Sequence, residues 1–136
     1  MLHLDVVDCS ELGKLSMSVT ILIAEDDKDL QLLYRAAMEH QGFHVLEARD
    51  GAALMDLLRS PDFHADVLIL DIEMPEAPGG RAIDYIRSQP HLANLKIVVI
   101  TANEQYRERL APKADYFLVK PIAISDVMRI AKELTT

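Results

Sequence analysis

The sequence has a single cysteine, Cys9, so it holds no intrachain disulfide framework. No apolar run approaches the roughly eighteen residues that suggest a membrane span. No secretory signal is visible, because the N-terminus is acidic and broken by polar residues. Internal repeats and low-complexity tracts are also missing. Basic residues are the minority charge: 14 Lys and Arg against 22 Asp and Glu leave a net charge of −8. A chain of that sign repels the DNA backbone, which argues against direct DNA binding by this domain. These features lead us to expect a cytoplasmic protein in a reducing compartment, without a membrane anchor. The bland account of the acidity is solubility; the sharper one is that part of it gathers in one pocket.

What is present suffices for one folded domain. The chain has 136 residues, half of them hydrophobic, enough for a single substantial core. Residues 1–17 carry scattered apolar residues without periodicity, and we expect them to be an N-terminal extension to a domain spanning 18–136. Met17 is a conceivable natural start, since Met17-Ser18-Val19-Thr20 leads straight into a strand. A short element docked on the domain is the other reading of this segment.

From Val19 the chain alternates between two periods. Val19 to Ala24 is a short, β-branched apolar run that reads as a buried strand. Asp27 or Asp29 is placed to cap a helix with Leu30, Leu33, Tyr34, Ala37 and Met38 at helical spacing, ended by Gly42. His44 to Ala48 is a second strand. Asp50-Gly51 opens a helix with Leu54, Leu57 and Leu58, stopped by Ser60-Pro61. Val67 to Leu70 is a third strand that ends at Asp71. A loop rich in Pro and Gly, Met74 to Gly80, leads to a helix carrying Ile83 and Ile86 that stops before Pro90. Lys96 to Thr101 is the fourth strand, followed by a helical stretch broken by Pro112. Asp115 to Val119 is the fifth strand. Ser125 is the expected cap of a last helix with Val127, Met128, Ile130, Ala131 and Leu134 mostly on one side. Strict alternation predicts an α/β fold, a doubly wound five-stranded parallel sheet with right-handed crossovers.

Sites in such sheets form beyond the carboxyl ends of the strands, where strand order reverses. Glu25, Asp26 and Asp27 follow the first strand and Asp71 closes the third. Thr101 closes the fourth, and Lys120-Pro121 follows the fifth. Clustered acids repel one another and need a shared cation, and hard oxygen ligands suit Mg²⁺. An aspartate that attacks phosphorus forms an acyl phosphate. A lysine opposite the metal neutralises phosphoryl oxygens, and a threonine hydrogen-bonds to one. Taken singly, an Asp at a strand end is ordinarily a helix cap, the acidic triplet a capping cluster, Thr101 a plain strand residue and Lys120-Pro121 a loop. Their coincidence at one sheet edge tips the balance toward a site.

These segments are recognisable. Ile21-Leu22-Ile23-Ala24-Glu25-Asp26-Asp27 resembles the first strand and acidic pair of bacterial response-regulator receiver domains. Leu68-Ile69-Leu70-Asp71-Ile72-Glu73-Met74-Pro75 resembles their phosphoacceptor segment. Val98-Val99-Ile100-Thr101-Ala102 resembles the strand with the switch hydroxyl, and Ala114-Asp115-Tyr116-Phe117-Leu118-Val119-Lys120-Pro121 the last strand with its lysine. The resemblance covers about residues 19 to 134 and implies a flavodoxin-like (βα)5 fold with strand order 2-1-3-4-5. It implies that Asp71 is the phosphoacceptor. Mg²⁺ or Mn²⁺ would be held by Asp71, by Asp26 directly, by Glu25 through water and by the backbone carbonyl of Glu73. Lys120 would pair with the phosphoryl group, Thr101 would move toward it, and Phe117 would swing inward in concert. The Lys120–Pro121 bond would be cis. For Phe117 the plain alternative is a core aromatic, and adjacent Tyr116 should face the other side of the sheet. The implied partners are a histidine kinase or histidine phosphotransfer protein and a downstream protein target.

Three departures from the family pattern stand out. The loop from Met74 to Gly80 is about one residue longer than usual, though its composition still suits a turn. The stretch from Thr101 to Lys120 is about three residues shorter, nearly a turn of helix, and Pro112-Lys113 replaces a small Ala-Gly pair. The fourth helix should therefore be short or irregular, and dimerisation through that face is not expected; we expect a monomer or weak dimer. Glu73 and Asn103 border the path of a hydrolytic water in this family, so Glu73→Ala should change phosphoryl lifetime. The sequence ends at Thr136, directly after the last helix, which leads us to expect output by protein contact or onward phosphotransfer.

Two other classes share parts of this pattern. A phosphatase of the haloacid dehalogenase type wants Asp two residues after its nucleophile and Thr two further on, where this chain has Glu73 and Pro75. A degenerate receiver that binds partners without phosphorylation fits the shortened fourth helix but not the complete set of Glu25, Asp26, Asp71, Thr101 and Lys120.

Overall fold

A computed structural model describes residues 18–74 and 79–136. The extension at 1–17 and the centre of the loop between Met74 and Gly79 lie outside the described residues. The elements alternate as expected: β1 (Thr20–Ala24), α1 (Lys28–His40), β2 (His44–Ala48), α2 (Gly51–Arg59), β3 (Val67–Asp71), α3 (Gly79–Ser88), β4 (Lys96–Thr101), α4 (Arg107–Leu110), β5 (Tyr116–Val119) and α5 (Ile124–Thr135). The sheet runs β2-β1-β3-β4-β5, all parallel. The order reverses between β1 and β3, so a crevice opens beyond their carboxyl ends.

Each strand alternates its side chains between two apolar layers. Leu22, Leu68, Leu70, Ile97 and Val99 face Leu54 and Leu58 of α2, Ile83 and Ile86 of α3 and Leu110 of α4. Ile21, Ile23, Val67, Ile69, Val98 and Ile100 face Tyr34 and Met38 of α1 and Val127, Ile130 and Ala131 of α5. Burial on both faces explains why β1 and β3 read as continuous apolar runs.

Local chemistry fixes the helix ends. Asp27, not Asp29, caps α1: its Oδ1 accepts from the Asp29 and Leu30 N–H groups at 2.9 and 3.1 Å. Gly42, with φ of 92°, ends it. The Gly42 and Phe43 N–H groups donate back to Glu39 and Met38 carbonyls, a Schellman closure that needs the left-handed residue. Asp50 caps α2 through the Ala53 N–H.

Several expectations are corrected. Val19 lies just outside β1, although its carbonyl accepts from His44 N–H, and Asp115 lies just outside β5. Ser125 does not cap α5: the helix begins one residue earlier, Ala123 is the cap residue and no side-chain cap bond forms. Leu33 is not on the buried stripe of α1 but 54% exposed. Gln31 is buried in that helix with Tyr34 and Met38, its Nε2 donating to the Ala48 carbonyl at 3.3 Å. The stretch between β4 and β5 is irregular, as its length predicted. Four residues of α4 lie between two 3-10 turns, Glu104–Tyr106 and Ala111–Lys113. Pro112 has no N–H to continue the helix.

Candidate functional site

The strand ends converge. Glu25 extends β1; its backbone N–H donates to the Ala48 carbonyl, holding the residue against the end of β2. Its carboxylate turns inward, 4% exposed as a residue, and accepts the Asp27 N–H at 3.1 Å. Asp26 is exposed. Asp71 is the last residue of β3, 6% exposed, and its Oδ1 accepts the Glu73 N–H at 3.0 Å. Glu25, Asp26 and Asp71 each offer a ligand oxygen, and these lie within 4.8 Å of one another. Three hard, anionic oxygens at that separation fit a small divalent cation such as Mg²⁺.

Lys120 supplies the positive charge. Its N–H donates to the Thr101 carbonyl at 2.7 Å, fixing the end of β5 against β4. Its Nζ lies 3.4 Å from Asp71 Oδ2 and 3.9 Å from Glu25 Oε1. The Lys120–Pro121 peptide is cis. Burial pushes the Glu25 carboxyl up to about 7, and the Asp71 charge adds to the rise, while the Asp27 N–H and Lys120 oppose it. The Tyr34 phenol is raised to about 12 by burial, then by the charges of Glu25 and Asp71.

Thr101, fully buried at the end of β4, donates its hydroxyl proton to Glu73 Oε1 at 2.7 Å. The Ala102 N–H donates to the same oxygen at 2.9 Å. The Thr101 hydroxyl, then the Ala102 N–H, hold the Glu73 carboxyl below its ordinary value. Asn103 serves locally instead: its Oδ1 accepts the Gln105 N–H at 2.9 Å and caps the first 3-10 turn. Phe117 is half-buried against the layer of α2, α3 and α4, and Tyr116 packs on the opposite layer, its hydroxyl donating to Glu133. The Arg107 guanidinium lies over the Phe117 ring, 5.0 Å from its centroid.

The structure therefore brings together Glu25, Asp26, Asp71, Thr101, Lys120 and Glu73, while Phe117 packs in the layer of α2, α3 and α4. Sequence reasoning missed three participants. The Ala102 N–H has no side-chain signal. Gln31 breaks the apolar stripe of α1 and was readable only as an outward polar residue. Arg107 over Phe117 depends on how the shortened α4 folds back.

A fold of this topology with acids at β1 and β3, a hydroxyl at β4 and a lysine after β5 defines the receiver class of two-component signalling. The family model for the response regulator receiver domain matches residues 21–132, and the chain belongs to that family. Among its relatives is response regulator MprA of Mycobacterium bovis, 33% identical over 115 residues, covering 82% of this chain and 48% of MprA. The chain thus spans about half the length of the curated relatives it matches. Among solved structures it is similar to the response regulator TrrA of Thermotoga maritima in complex with Mg²⁺ and BeF. That pair has a TM-score of 0.74 and 27% identity over 85% of this chain and 98% of the other. The receiver domain of the sensor histidine kinase PA1611 from Pseudomonas aeruginosa, with a magnesium ion coordinated in its active-site cleft, also matches. Its TM-score is 0.74 with 25% identity, covering 88% of this chain and 99% of that one. No helix among the described residues is long and apolar enough to cross a membrane.

Proposed function

We propose that this domain accepts a phosphoryl group on Asp71 from a phosphohistidine and signals by contact with another protein. The observation that carries the reading is the meeting of three carboxylates within 4.8 Å beside a lysine 3.4 Å from Asp71. An Asp71 carboxylate oxygen attacks phosphorus, the phosphorus–nitrogen bond to histidine breaks, and the imidazole keeps the electron pair. The product is an acyl phosphate on Asp71. Asp26, Asp71 and the Glu73 carbonyl would hold Mg²⁺, with Glu25 acting through water, and the ion would supply charge screening between the carboxylates and the incoming phosphoryl group. Lys120 pairs with a phosphoryl oxygen, and Thr101 donates to another. Phe117 responds to Thr101 across the β4–β5 pair. Asn103 borders the approach of water, and hydrolysis of the acyl phosphate returns free Asp71 and phosphate.

The donor is a histidine kinase or a histidine phosphotransfer protein. The acidic surface disfavours DNA as a direct partner of this domain. The irregular α4 favours a monomer or weak dimer, and the domain at 18–136 is read as cytoplasmic. One observation supports a second reading, phosphorylation-independent binding: the Thr101 hydroxyl is already engaged by Glu73. The test is intact mass after incubation with acetyl phosphate, with Mg²⁺ and with a chelator. A single phosphoryl adduct that needs Mg²⁺ supports the first reading. A folded protein that gains no adduct and fails to bind beryllofluoride supports the second.

A further inference from the structure

Glu73 is exposed, yet it reaches across to the end of the neighbouring strand. The turn after β3 directs it there: the Glu73 N–H folds back onto Asp71 Oδ1 at 3.0 Å. Asp71 is paired in register with Ile100, so Thr101 and Ala102 lie one and two residues beyond it on the adjacent strand. Two donors from consecutive residues then converge on one carboxylate oxygen, the Thr101 hydroxyl at 2.7 Å and the Ala102 N–H at 2.9 Å. The Thr101 oxygen itself accepts the Asn103 N–H at 3.0 Å, which leaves its proton aimed at Glu73. Paired donors on a single anionic oxygen are the arrangement that stabilises an oxyanion.

We infer that the Glu73 carboxylate stands in for a phosphoryl oxygen in the unphosphorylated protein and must be displaced when Asp71 is phosphorylated. This rests on the phosphoacceptor reading of Asp71. A phosphoryl group there brings three acceptor oxygens and a charge of about −1.5 to −2. The donors at the mouth of the pocket are the Lys120 ammonium, the Thr101 hydroxyl and the Ala102 N–H, and Glu73 occupies the last two. A carboxylate and a phosphoryl group cannot share them, because two anions at hydrogen-bond distance repel. Glu73 leaves easily: its side chain is exposed, and a rotamer change carries it to water, whereas the buried Thr101 hydroxyl cannot turn to water and needs a new acceptor. Glu73 thus holds the switch hydroxyl at the site while no phosphate is there, and lowers the affinity for one.

The test compares wild type with Glu73→Ala and Glu73→Asp. Glu73→Asp keeps the charge but is one methylene too short to reach both donors. Two readouts are followed by NMR: amide hydrogen exchange at Ala102 without ligand, and the affinity for beryllofluoride in the presence of Mg²⁺. In both variants Ala102 should exchange at least about tenfold faster and beryllofluoride should bind about tenfold more tightly, the factor expected from losing one charge-assisted hydrogen bond. Either readout staying at the wild-type value in Glu73→Asp overturns the inference, since tightening in Glu73→Ala alone is a plain charge effect. Beryllofluoride failing to bind any of the three proteins overturns the phosphoacceptor reading instead.

Discussion

The two ends of the sheet use the same residue types for opposite purposes. At the edge where the strands begin, Asp66 accepts the Thr20 N–H at 2.8 Å, and Asp115 accepts the Ile97 N–H at 2.7 Å and Arg87 Nη2 at 3.2 Å. At the edge where the strands end, Glu25, Asp26 and Asp71 crowd within 4.8 Å, and Glu25 and Asp71 share one lysine. A parallel sheet explains the difference. All strands present free N–H groups at the first edge and free carbonyls at the second. A carboxylate finds backbone donors at the first edge and is neutralised structurally. At the second edge the acids find N–H donors only in the turns that follow the strands, as Glu25 does at Asp27 and Asp71 at Glu73, and their crowded charges still call for a cation.

The largest expected effect lies at the second edge. Asp71→Ala should remove the phosphoryl adduct completely while the protein stays folded, as circular dichroism would verify. An adduct persisting in that variant would break the contrast between the ends. Next comes metal linkage. Mg²⁺ at a hundredfold excess over its Kd should stabilise the wild type by about 2.7 kcal/mol in urea unfolding. Asp26→Ala should lose most of that gain, and Asp115→Ala should keep it. At the first edge, Asp115→Ala should cost about 1–3 kcal/mol by orphaning the Ile97 N–H and taking one acceptor from Arg87, and should leave adduct formation intact. An Asp115 variant with unchanged stability and impaired phosphorylation would invert the assignment. The smallest effect joins the two: Arg107→Ala should cost about 0.5–1 kcal/mol through the lost cation–π contact with Phe117. Urea unfolding reads that value too, and a change above it would mean that the ion pair of Arg107 with Glu104 also contributes.

Much of this was legible in the sequence because it depends on local pattern. Apolar runs and turn residues alternate regularly enough to give the element order, and the site residues sit directly at strand ends, where the topology must gather them. The misses have physical causes. In α1, Leu30, Leu32, Leu33 and Tyr34 offer more apolar positions than one stripe can bury. Register is settled by Gln31, whose amide satisfies the Ala48 carbonyl, and Leu33 is left in water. Ser125 looked like a cap, but α5 starts at Ile124, placing it inside the first turn. The irregular path after β4 was foreseen from its length and Pro112, yet nothing local shows that it lays Arg107 over Phe117. The contact of Glu73 with Thr101 and Ala102 joins residues 28 and 29 positions apart at the ends of neighbouring strands, beyond any local signal.

The most direct test of the central claim is to locate the phosphoryl group. After incubation with Mg²⁺ and acetyl phosphate, borohydride reduction of the acyl phosphate followed by peptide mass mapping should convert Asp71 alone to homoserine. Conversion at Glu25, Asp26 or an acid of the opposite edge, with Asp71 intact, would contradict the account.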